Sequence, residues 1–440
     1  MKKTSLSIIL TSLIATAGFS ADSISDAFKD GKVNGEIRAF YIDRDYAPGV
    51  HRNGFSLGGS LGFDTASYNG LSLGAKFYTT NGLGWNQSGS EKDPSLFGKG
   101  KDSYSILGEA YAAYSVGKTT VKVGRQKLAT PLASHDDARM IPNLFEAAVL
   151  INSDVPNTTL ILAHVTKMAA NTIANAYGVG SAPAIELALA GGYGPGYESG
   201  KFKNMGSVAL TDAVSTDGVT AIAGIYAKDG FKVQLWDYFA HDILNALYID
   251  ASYKTKIGDL SLSVAGQFIN ESDVGDNKAS SVAQTALGHP EEKEVDSTYF
   301  GAKIGFGYGM FAGYAAFSTT DSNDEAVTNG GIISPWGGMP AYTQGMVTRH
   351  NFLADTDSFK LALSAKPIDG LKVAGYYAEY DVGEKNSYQN GTAWTASEFG
   401  YDFTYQATKE LKLKLRGNFP SDFKEGLDWD EHRVIAYYKF

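Results

Sequence analysis

Four basic residues near the two ends of the chain have the type and spacing to do chemistry together. Lys414 and Arg416 stand two positions apart, Arg433 follows, and Arg38 lies near the beginning. In an extended chain, positions two apart share a face. Pairing the last segment with the first would therefore stack these side chains at different heights on one wall. Arginine offers a planar fork that holds a carboxylate through two hydrogen bonds, and lysine supplies a point charge. Such a wall could hand an anion from one base to the next. Lys76, Lys254 and Lys303 fall on the same face of their own segments. Bases outnumber acids on that face, although acids outnumber bases in the whole chain, 48 to 38. The competing reading is that acids such as Glu36 and Glu431 pair with these bases and merely neutralise the wall.

The elements that must position these bases are strands. From Lys32 onward apolar residues alternate with small, polar or charged ones: Phe55, Leu57, Leu61 and Phe63 with Ser56, Gly58, Ser60 and Gly62, then Leu71, Leu73, Ala75 and Phe77 with Ser72, Gly74, Lys76 and Tyr78. This period of two is the signature of a strand with two unlike faces. Eighteen such segments can be traced, with 16 as the alternative count, and Gly206–Ala213 is a further candidate inside the long gap from Lys167 to Asp217. Short turns of the Asn-Gly and Asp-Gly kind alternate with long polar stretches, as in a membrane barrel whose turns lie on one side and loops on the other. Lipid cannot hydrogen-bond a free strand edge, so the sheet must close.

The expected fold is all-β: a transmembrane, antiparallel, up-and-down barrel over residues 21–440. Its apolar face meets lipid and its polar face lines a lumen. Asp43, Asp237 and Glu379 break that frame and are expected at the rims. Tyr41, Tyr78, Tyr253, Tyr299 and Tyr405, at strand ends, are expected in the interfacial girdles. An even strand count puts both termini in the periplasm, and the last strand ends in an alternating aromatic run closed by Phe440.

Residues 1–20 read as a secretory signal peptide, with Lys2 and Lys3 ahead of the apolar run from Leu6 and a small-x-small site at Gly18-Phe19-Ser20. Its removal takes the formal charge from -10 to -12, which disfavours nucleic acid as a partner. No other run approaches the roughly 20 apolar residues that a spanning helix needs. The chain has no Cys, which rules out disulfides, thiolate metal sites and cysteine nucleophiles.

The stretch Leu128-Ala-Thr-Pro-Leu-Ala-Ser-His-Asp-Asp-Ala-Arg-Met-Ile-Pro-Asn143, after Gly124-Arg125-Gln126, resembles the constriction-loop region of OprD-type outer-membrane porins and related major porins of epsilonproteobacteria. The opening Gly35-Glu36-Ile37-Arg38-Ala39-Phe40-Tyr41 and the closing strand are similar to that family too. The resemblance implies an 18-stranded barrel with loop 3 folded inward against a basic ladder that selects small carboxylates. It would place His135, Asp136, Asp137 and Arg139 at the eyelet and Arg38, Lys414, Arg416 and Arg433 on the ladder. The competing reading of His135–Arg139 is that they tie the loop to the wall.

The function expected is passive diffusion of small hydrophilic, anionic solutes across the outer membrane of a Gram-negative bacterium. A surface adhesin or a structural barrel is the alternative. Lipid and lipopolysaccharide would surround a monomer or homotrimer. No enzyme is expected, since no Gly-x-Ser-x-Gly elbow occurs. No cofactor is required, although Asp321, Asn323, Asp324 and Glu325 bring oxygen donors together as a structural calcium site would. An acidic solvated loop is the competing reading there. Ser181–Ala190 reads as a short loop helix.

Overall fold

The computed structural model describes residues 21–47, 49–176, 191–282, 284, 291–389 and 391–440. The signal peptide expected at 1–20 and the helix expected at Ser181–Ala190 lie outside them. The described residues form eighteen barrel strands: β1 (Lys32–Tyr46), β2 (Val50–Asp64), β3 (Leu71–Asn81), β4 (Tyr104–Val116), β5 (Thr119–Gln126), β6 (Leu144–Asn152), β7 (Thr158–Ala169), β8 (Val219–Lys228), β9 (Phe231–Ala240), β10 (Leu244–Ile257), β11 (Leu260–Ser272), β12 (Asp296–Tyr308), β13 (Phe311–Thr320), β14 (Thr356–Ile368), β15 (Leu371–Val382), β16 (Trp394–Gln406), β17 (Leu411–Ser421) and β18 (Trp429–Lys439). Each pairs antiparallel with its neighbours in sequence, and β18 pairs with β1 from Glu36↔Lys439 to Tyr46↔Trp429. The sheet is therefore closed, as a chain without water at its edges requires.

The alternation has the physical cause expected of it. Leu61, Phe77, Val264, Ile304, Leu363, Phe399 and Val434 are exposed on the outer face. Tight turns close one end of the barrel. Asn69-Gly70 and Asp229-Gly230 have positive φ at both positions, the hairpin geometry that matches strand twist. Within the wall, Gly59 has φ +125°, and a Cβ there would lie 1.8 Å from the Glu36 carbonyl oxygen. Only glycine lets β2 come this close to β1.

Four expectations need correction. Long polar stretches do not fill every connection at the loop end, because β1 runs to Tyr46 and β2 starts at Val50. With 241–243 and 422–428, this makes three of the nine connections at the loop end short. Met205–Ala209, overlapping the candidate strand Gly206–Ala213, is a helix capped by the Asn204 side chain. Tyr41, Tyr253 and Tyr405 face outward, but Tyr78 and Tyr299 are buried inside the barrel. The polar lining is also incomplete: on β6–β8 the inward residues Ala147, Val149, Val165, Ala221 and Ala223 are apolar and buried. They pack in one cluster with Leu132, Met205, Val208, Leu210 and Trp336 from three inward-folded loops. The main core thus lies inside the barrel, built by loop 3 (127–143), loop 4 (170–218) and loop 7 (321–355).

Candidate functional site

Period-two alternation puts all seven expected ladder residues, Arg38, Lys76, Lys254, Lys303, Lys414, Arg416 and Arg433, on the face opposite the exposed apolar residues of their strands. Most of them already have carboxylate partners. Arg416, on β17, donates to Asp402 of β16 from Nη2 at 2.5 Å and from Nε at 2.8 Å, and Lys414 lies 3.4 Å from the same carboxylate. Arg38, on β1, holds Glu36 through Nε at 2.9 Å and stacks over Tyr437 at 4.9 Å. Arg433 pairs with Glu431 two positions away on β18. Glu36 and Glu431, the acids named in the competing reading, do pair with the ladder.

Glu431 is the hub. Fully buried, it also accepts from Arg44 Nε at 2.5 Å and from Arg139 Nη2 at 3.2 Å. Arg44 in turn donates to Asp93 of loop 2 (82–103) at 2.9 Å, and Arg139 Nε donates to Ser95 Oγ at 3.2 Å. Three arginines and two carboxylates thus bind loops 2 and 3 to the seam between β18 and β1. Arg139 therefore sits in the wall network and is buried.

The neighbouring loop-3 residues have distinct environments. His135 closes the loop on itself: its backbone N–H donates to the Leu128 carbonyl, and its Nδ1 stands 2.9 Å from the same oxygen. Asp136, at φ +31°, accepts from Tyr193 of loop 4 at 2.9 Å and lies 3.5 Å from Arg349 of loop 7. It ties three loops together. Asp137 reaches across to Arg38, with Oδ1 2.7 Å from Nη1 and Oδ2 3.1 Å from Nη2. Burial pushes its carboxyl up, but the Arg38 guanidinium outweighs that and holds it below the usual carboxylate range.

Loop 7 also folds into the barrel. Its three successive backbone N–H groups at Met346, Val347 and Thr348 converge on Glu398 of β16, at 2.9, 3.1 and 2.6 Å. Consecutive amides of this kind form an anion-binding nest, here filled by the barrel's own carboxylate. Tyr342 donates to Asp250 and lies under Lys303, whose ammonium is 3.8 Å from the ring centre. Lys360, on β14, donates to the Gln344 carbonyl and sits over Tyr376 at 4.3 Å. Trp336 joins loop 7 to loop 3, its carbonyl accepting from Ser134 N at 3.0 Å.

Sequence reading missed this second loop, together with Arg44 and Arg349; it turned Glu398 inward without giving it a partner. The signal was present in Ile332, Ile333, Trp336 and Phe352, apolar residues in a stretch taken for a polar loop. A long ordered loop with a greasy centre is one that packs inward. A cavity of about 290 Å³ remains beside Arg38, lined also by Glu36, Lys76, Lys127, Asp137 and Lys439.

The expected calcium residues bond among themselves and to their neighbours. Asn323 Oδ1 accepts from Glu325 N, Asn323 Nδ2 donates to Asp296, and Asp321 Oδ1 accepts from Ser322 N. No group of three or more acidic or histidine side chains is arranged to hold a metal among the described residues.

Residues 25–440 match the family described as outer membrane porin, OprD family. No curated protein matches the sequence. Several solved structures are similar in fold. Pseudomonas aeruginosa OpdK with vanillate shows 17% identity, a TM-score of 0.73 and coverage of 94% of this chain and 99% of that one. P. aeruginosa OccK9 (OpdG) shows 19% identity, a TM-score of 0.74 and the same coverage. P. aeruginosa OccK2 (OpdF) in complex with glucuronate shows 15% identity, a TM-score of 0.71 and coverage of 94% and 98%.

Proposed function

As the chain belongs to the OprD family of outer membrane porins, we propose that its barrel passes small carboxylates by passive diffusion through an eyelet made by loops 3 and 7 against the seam wall. A lumen lined by Arg and Lys favours anions. The observation that carries this reading is the bidentate contact between Arg38 and Asp137: the wall at the narrowing holds a carboxylate in the geometry a solute would need. Vanillate and glucuronate, found with the OpdK and OccK2 proteins, each bear one carboxylate, in keeping with that chemistry.

In this reading the eyelet residues are Asp137, Arg38, Tyr342 and Lys303. Lys414 and Arg416 continue the basic path, and Arg433 and Arg139 hold its frame. The turn end with both termini faces the periplasm, and the long loops face outward among lipopolysaccharide. One chain supplies every element of the constriction, so a monomer suffices, with a homotrimer as the alternative assembly. Residues 1–20 would serve export and be removed.

Purified protein in planar bilayers should give stepwise conductance, with a reversal potential on the anion side in a salt gradient. A silent bilayer overturns the pore. A cation-side reversal potential overturns only the anion preference.

A further inference from the structure

Arg38 has five N–H donors, and the chain itself occupies all of them. Nε donates to Glu36 at 2.9 Å, Nη1 to Asp137 at 2.7 Å and to the Arg139 carbonyl, and Nη2 to Asp137 at 3.1 Å while lying 2.7 Å from Glu36. The Asp137 contact is the two-pronged fork that a free carboxylate makes with a guanidinium. Asp137 is also unnecessary as an anchor. Loop 3 is held on one side by Arg139 on Glu431 and on the other by Asp136, which accepts from Tyr193 at 2.9 Å, and by Ser134 N on the Trp336 carbonyl at 3.0 Å. Of the two partners the loop carboxylate is the accessible one, its side chain 31% exposed against 7% for Arg38.

The cavity of about 290 Å³ opens on this pair, and Lys76 and Lys127 line it. Lys127 acts on Asp137 through its charge, and neither lysine comes within ion-pair distance of a carboxylate among the described residues. Tyr78, Met140 and Phe440 add apolar surface to the same space. It is therefore a chamber with free positive charge at its wall and an already occupied arginine at its centre.

We propose that Asp137 is a built-in surrogate for the permeating carboxylate, filling Arg38 in the resting pore until a solute carboxylate drawn in by Lys76 and Lys127 exchanges with it. The exchange replaces one carboxylate by another, so the buried guanidinium never loses its partner, a loss that is costly inside a protein. Asp137 then sets the threshold for passage: solutes that cannot mimic its fork meet a closed contact. This rests on the carboxylate-pore reading and adds to it the residue that discriminates.

The test compares liposome swelling by gluconate and by sorbitol, which are of similar size and differ in the carboxylate, for the full chain and for Asp137→Asn. The amide keeps the shape and loses the charge. The variant should raise the gluconate-to-sorbitol rate ratio roughly three- to tenfold, as expected when a competing charge leaves a recognition site. Arg38→Gln on the Asp137→Asn background should abolish that gain. If Asp137 only braced the loop, its loss would speed both solutes alike, and an unchanged ratio overturns the proposal. Should Asp137→Asn fail to fold, Asp137→Ser is read by the same ratio. If the unaltered protein passes neither solute, the pore reading falls first and takes this inference with it.

Discussion

Arg139 of the constricting loop and Glu431 of the last strand are 292 positions apart in sequence and meet at 3.2 Å with both side chains fully buried. Through this contact the position of loop 3 and the closure of the barrel depend on one another. The same carboxylate serves Arg44 and Arg433, so its charge offsets more than one guanidinium.

Replacing that charge should therefore cost more than one ordinary ion pair. Glu431→Gln removes the carboxylate shared by three buried arginines, and breaking a buried pair from one side costs about 3–5 kcal/mol. The temperature at which the folded band disappears in unheated-versus-heated gel electrophoresis should drop clearly. An unchanged transition would show that water or another acid compensates.

Glu398→Gln acts on the facing loop. The amide can accept at one atom only and turns its NH2 toward amides that also donate, leaving buried donors unsatisfied at about 1–3 kcal/mol. Amide exchange at Met346–Thr348 should accelerate, and trypsin should cut after Arg349, which is buried in the parent protein. Protection equal to the parent's would remove the nest from the account of loop 7.

Gly59→Ala tests the wall itself. Its backbone at φ +125° and the carbonyl of Glu36 1.8 Å from any Cβ leave no room, and strain of this kind costs roughly 1–3 kcal/mol before the clash is counted. Refolding yield into detergent should fall, and a yield equal to the parent's would mean that β1 and β2 can separate locally.

Loop 7 should respond to acid through His350. The imidazole is buried among Tyr380, Tyr388, Trp394 and Phe423, stands beside the Phe423 carbonyl through Nε2, and has no partner at Nδ1. Burial pushes its pKa down to about 4, against about 6.5 in an unfolded chain. Between these values the unfolded segment binds the proton and the folded one does not, so stability falls as pH falls from about 6.5 toward 4, by about 3 kcal/mol in all. Above that window His350 contributes no pH dependence. Exchange protection of His350–Phe352 should decline across it, and His350→Gln should flatten the decline.

The strands were legible because two solvents act on them. Lipid on one side and a wet interior on the other impose a period of two that a reader can follow from Phe55 to Tyr438, and Asn69-Gly70 and Asp229-Gly230 mark turns by their own conformational preferences. The pattern faltered where a loop replaces water as the inner neighbour. On β6–β8 both faces are apolar because loops 3, 4 and 7 lie against the inner one. The same cause hid loop 7: polar composition suggested solvent, yet Trp336 and Phe352 pack inside. At the site, residue types were readable and partners were not. Arg38 with Asp137 and Arg44 with Glu431 meet only once strand register and loop direction are fixed, and local sequence specifies neither.

The seam between β18 and β1 also bears on how the molecule comes into being. Its ladder runs to Glu36↔Lys439, and beyond it Gly35 and Phe440 exchange backbone hydrogen bonds at 3.0 and 3.2 Å. A polypeptide interrupted before Trp429 has nothing to offer its own first strand and keeps two bare margins, which lipid cannot satisfy. The bilayer can thus accommodate the closed sheet but not the bare margins of the interrupted one.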